Sequence, residues 1–286
     1  MPYVTVNGLR LHYLAEGFGP AVLLLHGLGS CGEDWLLLQA PALRWRYRVL
    51  MPDLRGHGRS DVPSGPYTVP QLADDVAGFL EATGTHSAHV VGLSLGGAVA
   101  QALAVRHPER VRSLVLVNTF ARLRPRGWAE WRRTIIRFLV PLVNPARYAR
   151  MEAKELFPRP DQQGLRRVAM QRLCSTNPRG FRAALLAAAR YDGRRDLARI
   201  RVPTLIVAGL QDTVVPLRAK EELAARIPGA RLVTVPRSGH ATPTDQPVLF
   251  NRLLLQFLES VEGVEHGVPE TSGSARHVSA VCERAR

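Results

Sequence analysis

Ser94 lies in the segment VVGLSLGGAVA, residues 90–100, where a β-branched apolar run meets a helical pattern. Gly92 and Gly96 stand two residues before and after the serine, so a strand and a helix can pass closely around a sharp turn. Such a turn lifts the hydroxyl clear of the sheet at a helix N-terminus, where developing negative charge is favoured. This G-x-S-x-G pattern predicts a nucleophilic serine. The alternative is a tight turn in which Ser94 only caps the following helix.

A serine hydroxyl needs a base to remove its proton, and the base needs an acid to orient it. Asp212 follows the strand pattern VPTLIVAG within GLQDTVVP, and His240 follows the last strand pattern, RLVTVP, within RSGHATPTDQP. The carboxyl ends of parallel strands meet at one edge of a sheet, so both side chains are expected near Ser94. The order serine, acid, histidine is also the one expected with a G-x-S-x-G turn.

Two other residues compete with Asp212 for the role of the acid. Asp245 is close to His240 in sequence, but its position at the start of the final helix favours a first-turn charge or a cap. Asn118 follows the strand pattern VRSLVLV and carries no charge. The sequence therefore predicts Asp212 as the acid and His240 as the base.

Backbone N–H groups are expected to stabilise the oxyanion formed when the serine attacks a carbonyl. One donor should be Leu95, the residue after the serine, and the other should come from the HGLGS loop after AVLLL. Leu28 is the natural second donor, because Gly27 and Gly29 let this backbone approach a substrate closely. His26 is predicted to brace the loop by hydrogen bonding rather than to transfer protons.

The segment PDLRGHGRSD, residues 52–61, is predicted at the same edge of the sheet. Its tight turn favours structural roles over substrate contact for Asp53, Arg55 and His57. The odd number of cysteines and their spacing indicate unpaired, reduced thiols without a metal site: Cys31, Cys174 and Cys282. No cofactor or metal is predicted.

Strand and helix patterns alternate along most of the chain, which predicts an α/β fold with a mostly parallel central sheet flanked by helices. Asn7-Gly8 predicts a hairpin turn near the N-terminus. Between residues 121 and 189 the strand patterns stop, and a helical, arginine-rich sequence indicates a cap inserted into the core. The predicted core spans 1–120 and 190–262, and residues 263–286 are expected to be a disordered tail.

Composition is that of a globular protein, with 46% hydrophobic and 22% charged residues. The net charge is +14, and only Lys154 and Lys220 among the 38 basic residues are lysines. The arginines are scattered without a nucleic-acid-binding motif, which favours a solvated surface over a nucleic-acid partner. No apolar run is long enough for a membrane span, and the N-terminus lacks a signal-peptide pattern, which predicts a cytoplasmic protein. Whether the chain forms a homodimer is left open.

The segments HGLGS, DLRGHGRSD, GLSLGG, GLQDTVVP and SGHATPTDQP occur in this order, and together they resemble the α/β-hydrolase superfamily. The resemblance covers roughly residues 3 to 260, apart from the detail of the cap. It is strongest to the serine esterase and 3-oxoadipate enol-lactonase branch, on the stretch YDGRRDLARIRVPTLIVAGLQDTVVP. The resemblance implies an enzyme without a cofactor, whose helical lid shapes the pocket. Ser94 stands where dehalogenases and epoxide hydrolases of this superfamily have aspartate.

These residues predict a serine hydrolase of carboxylic esters, acting on small to medium acyl groups through an acyl-enzyme intermediate. The same side chains could serve an enol-lactonase or a C–C bond hydrolase, with a cap arginine clamping a substrate carboxylate. Surface charge is the favoured interpretation of the candidate arginines, which are Arg124, Arg132, Arg133 and Arg190. A hypothesis of another class is a scaffold that binds a small ligand without turnover.

Overall fold

Eight strands form one sheet in the computed structural model, which describes residues 2–123 and 127–263. They are β1 (Tyr3–Val6), β2 (Leu9–Glu16), β3 (Ala21–Leu25), β4 (Arg48–Pro52), β5 (Ala88–Leu93), β6 (Val111–Val117), β7 (Thr204–Gly209) and β8 (Arg231–Val235). Their order across the sheet is β1-β2-β4-β3-β5-β6-β7-β8. The β1–β2 and β2–β4 pairs are antiparallel, and the five remaining pairs are parallel. The predicted mostly parallel sheet is confirmed.

The hairpin that joins β1 to β2 turns at Asn7 and Gly8, as the sequence predicts. Both residues have positive φ angles, 50° and 76°. A two-residue turn of this kind matches the natural twist of the two strands, and asparagine and glycine adopt it at low cost.

Ten α-helices are found in the described part of the chain. They are α1 (Ala40–Leu43), α2 (Val69–Ala82), α3 (Leu95–Arg106), α4 (Gly127–Val143), α5 (Pro145–Leu156), α6 (Gln163–Ser175), α7 (Pro178–Arg190), α8 (Leu217–Arg226), α9 (Thr242–Asp245) and α10 (Pro247–Glu262). Short 3-10 turns occur at Gly32–Trp35, Pro108–Arg110, Pro160–Gln162 and Leu197–Arg199. Thr68 caps α2, since its Oγ1 accepts a hydrogen bond from Gln71 N at 3.2 Å.

The sheet is covered on both faces, because successive side chains of a strand point to opposite sides. In β3, Leu23 and Leu25 pack into the core on the side of α2, α3 and α8. Val22 and Leu24 pack into the second core, against α1 and α10. All five residues of β3 are buried, which explains why its sequence, AVLLL, is apolar throughout.

Four helices, α4 to α7, lie in the chain between β6 and β7, and we call them the cap helices. Two of them begin with an asparagine followed by proline: Asn144 accepts a hydrogen bond from Arg147 N, and Asn177 accepts one from Gly180 N. This combination is a strong helix start, because proline fits the first helical turn and the side chain satisfies a free N–H.

The structure describes most of the predicted cap but only the first residue of the predicted tail. The first cap helix begins at Gly127 and the last ends at Arg190, close to the predicted limits of 121 and 189. Residues 264–286 of the predicted tail lie outside the described residues. Within the described ranges, no helix has both the length and the apolar character needed to cross a bilayer.

Candidate active site

Ser94 joins β5 to α3 in a backbone conformation that few residues adopt, with φ 53° and ψ −115°. Its side chain forms no capping hydrogen bond with α3, so the alternative role as a helix cap is wrong. The glycines on either side are required sterically. A Cβ on Gly92 would lie 2.4 Å from Gly96 O, and a Cβ on Gly96 would lie 2.3 Å from Leu25 O. The two glycines therefore allow the backbone to hold Ser94 in this strained conformation.

His240 and Asp212 form a buried pair on the loops that follow β8 and β7. The Nδ1 atom of His240 lies 3.0 Å from both carboxylate oxygens of Asp212. An ionised carboxylate only accepts hydrogen bonds, so Nδ1 carries the proton and donates it. In the neutral ring, Nε2 is then free to accept a proton from another group.

A cavity of about 1350 Å³ lies between the carboxyl edge of the sheet and the cap helices. The predicted site residues all line it: Ser94, Asp212, His240, Leu28 and Leu95. Among the described residues, no hydrogen bond joins the Ser94 hydroxyl to the His240 ring. Such contacts are often loose in unliganded enzymes and tighten when substrate binds.

The N–H groups of Leu28 and Leu95 suit the predicted role of oxyanion donors. Leu95 is the first residue of α3, so its N–H has no acceptor within the helix. No described residue accepts a hydrogen bond from Leu28 N–H either. The HGLGS loop lies close to the Ser94 turn: a Cβ added at Gly27 would be 3.5 Å from Ser94 Cβ.

His26 braces the oxyanion loop, as predicted. Its Nε2 accepts a hydrogen bond from Leu54 N at 3.0 Å, and its Nδ1 donates to Gly27 O at 2.8 Å. Burial lowers the pKa of His26, more than Asp53 raises it, which favours the neutral ring that this pattern requires.

The segment after β4 is held by buried hydrogen bonds, in line with the structural roles predicted for it. Asp53 accepts from Gly32 N at 2.7 Å and pairs with His12 Nδ1 at 2.9 Å. Arg55 makes a two-pronged ion pair with Asp75, with Nη2 at 2.6 Å from Oδ1. Burial lowers the pKa of His57 to about 3, so this ring stays neutral at physiological pH.

The carboxylate of Asp212 is fixed from several sides. Oδ1 accepts hydrogen bonds from the N–H groups of Val214 and Val215 at 2.9 and 3.0 Å, and Oδ2 accepts one from Lys220 Nζ at 2.7 Å. Burial raises the pKa of Asp212, but His240 and Lys220 outweigh burial and bring this pKa to about 2. The carboxylate is therefore ionised at neutral pH.

Asn118 and Asp245, the two rival candidates for the acid, both hold the loop that carries His240. Asn118 Nδ2 donates to His240 O at 2.7 Å and to Gly239 O at 3.1 Å. Asp245 ends the short helix α9 instead of starting the final helix, which corrects the predicted position. Its carboxylate accepts hydrogen bonds from Ser238 Oγ at 2.8 Å and Gly239 N at 2.6 Å.

Replacing Asn118 by alanine is expected to destabilise the protein by about 3 kcal/mol, because buried carbonyl groups would lose their donors. The loosened loop should also lower kcat about tenfold or more, since small displacements of a catalytic base are costly. Thermal unfolding and ester hydrolysis would measure the two effects. Asn7→Ala is the matched control, because Asn7 shares the positive φ but lies in the β1–β2 hairpin. Equal kcat values for the two variants would contradict the prediction.

The proposed arginine clamp is not found among the described side chains. Arg132 and Arg190 are exposed and do not line the cavity, and Arg124 and the side chain of Arg133 lie outside the described residues. The arginines that do line the cavity each pair with a carboxylate. They are Arg122 and Arg194 with Asp192, Arg137 with Glu152, Arg172 with Glu33 and Asp34, and Arg218 with Glu130.

No cluster of three or more metal-ligating side chains occurs in the ranges that the structure describes. Cys31 is buried, and burial raises the pKa of its thiol to about 12, which suppresses the reactive thiolate. Cys174 is exposed and unpaired.

Lys220 is the residue at the site that the sequence interpretation missed. The signal was present, since Lys220 lies on α8 together with the apolar residues Ala219 and Leu223, and all three are buried. A lysine on the apolar face of a helix needs a buried anionic partner. The partner, Asp212, becomes evident only when the chain is folded.

Comparison with known proteins places this site in a family. Residues 20–247 match the family model of the alpha/beta hydrolase fold. A protein of Azorhizobium caulinodans named putative carbamate hydrolase RutD is 33% identical over 271 residues, which cover 92% of this chain and all of that protein. The enol-lactonase of Burkholderia xenovorans LB400 is 30% identical, with a TM-score of 0.83 over 90% of this chain and 99% of its own. A thermophilic esterase of Thermogutta terrifontis is also 30% identical, with a TM-score of 0.79 over 91% and 98%. The chain therefore belongs to the α/β-hydrolase fold family and is a hydrolase of that type.

Proposed function

We propose that the protein hydrolyses carboxylic esters with small to medium acyl groups, using Ser94 as nucleophile, His240 as base and Asp212 as the acid that orients it. The observation that carries the proposal is the pair of 3.0 Å contacts between His240 Nδ1 and Asp212, in the cavity that Ser94 also lines. This contact fixes the tautomer in which Nε2 can take the serine proton.

The proposed reaction has two halves. His240 Nε2 removes the proton of Ser94 as Oγ attacks the ester carbonyl, and the N–H groups of Leu28 and Leu95 stabilise the oxyanion. Each such donor contributes about 3–4 kcal/mol in enzymes where one has been removed. The protonated imidazole then gives its proton to the departing alkoxide, which leaves an acyl group on Ser94. A water molecule, activated by the same base, releases the acid and restores the serine.

The cavity has apolar walls and its arginines are already in ion pairs. Both features support a substrate with a neutral acyl group. Leucine and aromatic side chains line the space, among them Leu28, Phe120, Trp131, Phe157 and Leu173. The lining arginines that the structure describes already have carboxylate partners, so a substrate carboxylate would have to break an ion pair. This supports neutral esters over acidic enol-lactones or the substrates of C–C bond hydrolases.

Carbamate hydrolysis is the second candidate, because the relative named as a putative carbamate hydrolase aligns with 92% of this chain. A carbamate presents a carbonyl to the serine as an ester does, and the same donors would stabilise its oxyanion. The amide nitrogen makes the carbonyl less electrophilic, so the ester is the better substrate unless the cavity binds the nitrogen specifically.

We expect a fluorophosphonate probe to modify the protein on Ser94 and leave the Ser94→Ala variant unmodified, because the probe reacts with activated serines. Mass spectrometry of the peptide would locate the adduct. A folded parent protein that stays unlabelled would favour the ligand-binding scaffold instead. Rates on p-nitrophenyl esters from acetate to palmitate, on an aryl carbamate and on an acidic enol-lactone then identify the substrate. The largest kcat/KM is expected among the shorter neutral esters.

A further inference from the structure

Lys220 is completely buried on α8, and its ammonium group lies at the carboxylate that orients the proposed base. Nζ donates to Asp212 Oδ2 at 2.7 Å and also to Val215 O. Both side chains of this ion pair have no exposed surface. A buried ammonium is costly in free energy, so a lysine at this position calls for an explanation.

Asp212 is shared between two cationic partners whenever His240 is protonated. Lys220 Nζ and His240 Nδ1 both lie within 3.0 Å of Asp212 Oδ2, so the two positive charges would be close neighbours. In the described part of the chain, the charged side chain paired with His240 is that of Asp212, and Asp212 pairs with His240, from the loop after β8, and with Lys220, from α8. The charged group that faces Lys220 is Asp212. A like charge at such a distance disfavours protonation of a base, and the effect is strong where water is excluded.

We propose that Lys220 is a positioning residue for the proposed Ser94–His240–Asp212 site: it fixes Asp212 and opposes protonation of the resting His240, so that the base works at lower pH. This inference rests on the proposed function. A lysine that only filled space in the core would fix the loop without affecting the charge of the imidazole.

The variants Lys220→Met and Lys220→Gln separate charge from geometry. Methionine removes the charge and the hydrogen bond, whereas glutamine removes the charge and retains a donor for Asp212. Lys220→Arg keeps the positive charge and should leave the acid limb where the parent protein has it. The matched control is Lys154→Met, which removes the only other lysine of the chain from an exposed position on α5.

In both neutral variants, the acid limb of the pH profile of kcat/KM for p-nitrophenyl butyrate is expected to move upward by about one pH unit. Lys154→Met should leave this limb in place. Because glutamine keeps the hydrogen bond, Lys220→Gln should retain more of the parent kcat above pH 9 than Lys220→Met. Acid limbs that coincide in the parent and in both neutral variants would overturn the proposal. Should the methionine variant not fold, the glutamine variant still decides the question.

A titration of the His240 ring by NMR, in the Ser94→Ala background, tests the charge effect without turnover. The midpoint is expected to rise by about one pH unit when Lys220 becomes glutamine. An unchanged midpoint would overturn the role of Lys220 even if ester hydrolysis is found. Conversely, a raised midpoint in a protein that hydrolyses no ester would support Lys220 and contradict the proposed function.

Discussion

Replacing Ser94 by alanine is expected to lower kcat for p-nitrophenyl butyrate by about 10⁵–10⁶, the largest effect of any single change at this site. The substitution removes the atom that would form the acyl-enzyme, and no other step in the proposed mechanism can bypass it. The residual rate would come from the oxyanion donors and from substrate binding alone.

The fold should tolerate this change, because alanine meets the same cost as serine at φ 53° and the Ser94 side chain makes no capping hydrogen bond. Thermal unfolding would verify this. Ser260→Ala serves as the control, since this exposed serine on α10 lies outside the cavity. Ester hydrolysis by Ser94→Ala at the parent rate would rule out the nucleophile.

Replacing Asp212 by asparagine is expected to lower kcat by about 10⁴. The amide can donate to Nδ1, which favours the tautomer with the proton on Nε2 and blocks transfer from the serine. The variant also leaves Lys220 buried without its carboxylate. Loss of a buried partner costs about 3–5 kcal/mol, so stability should fall together with activity.

Asp245→Asn is the matched control for Asp212→Asn, because it makes the same chemical change in the rival acid. Asp245 binds Ser238 and Gly239 in the loop of His240, so its replacement should cost stability but far less activity. Kinetics and chemical denaturation of both variants would compare the two acids. A larger loss of kcat in Asp245→Asn would transfer the orienting role to Asp245.

Low pH is expected to lower the stability of the protein through protonation of Asp212. The pKa of Asp212 is about 2 in the folded protein, against an ordinary value of 3.8. A carboxylate whose pKa is lowered by folding contributes stability above the ordinary value, and this contribution is lost as the pH falls from about 4 toward 2. The Asp212→Asn variant lacks this group, so its stability should depend less on pH in that interval.

The functional positions predicted from sequence were those whose local pattern reflects a backbone requirement. Ser94 is recognisable because the strand–turn–helix passage admits only small residues at Gly92 and Gly96, and those residues are adjacent in the chain. Asp212 and His240 follow apolar strands, and parallel strands end at one edge. The structure places all three at one cavity, while their catalytic roles remain the proposal to be tested.

Residues that brace the site were less visible, because their partners are distant in sequence. Asn118 looked like an uncharged substitute for the acid, yet its amide binds the carbonyl of His240, 122 residues away. Arg132 and Arg190 are exposed, in agreement with the favoured interpretation of surface charge, whereas the arginines that line the cavity are engaged in ion pairs that the sequence did not indicate. A sequence shows which residues are charged but not which groups they pair with. The pairing decides whether an arginine is free to bind a substrate.

The sequence by itself determined the alternation of strands and helices, the sharp turn at Ser94 and the order of the three polar side chains. These features depend on the period of apolar residues and on local backbone sterics, which act between near neighbours. Only the tertiary structure decided that Lys220 shares Asp212 with His240, that Asn118 and Asp245 hold the histidine loop, and that the cavity arginines are paired. Such contacts join residues far apart in the chain, and their energies arise only when folding removes these groups from water.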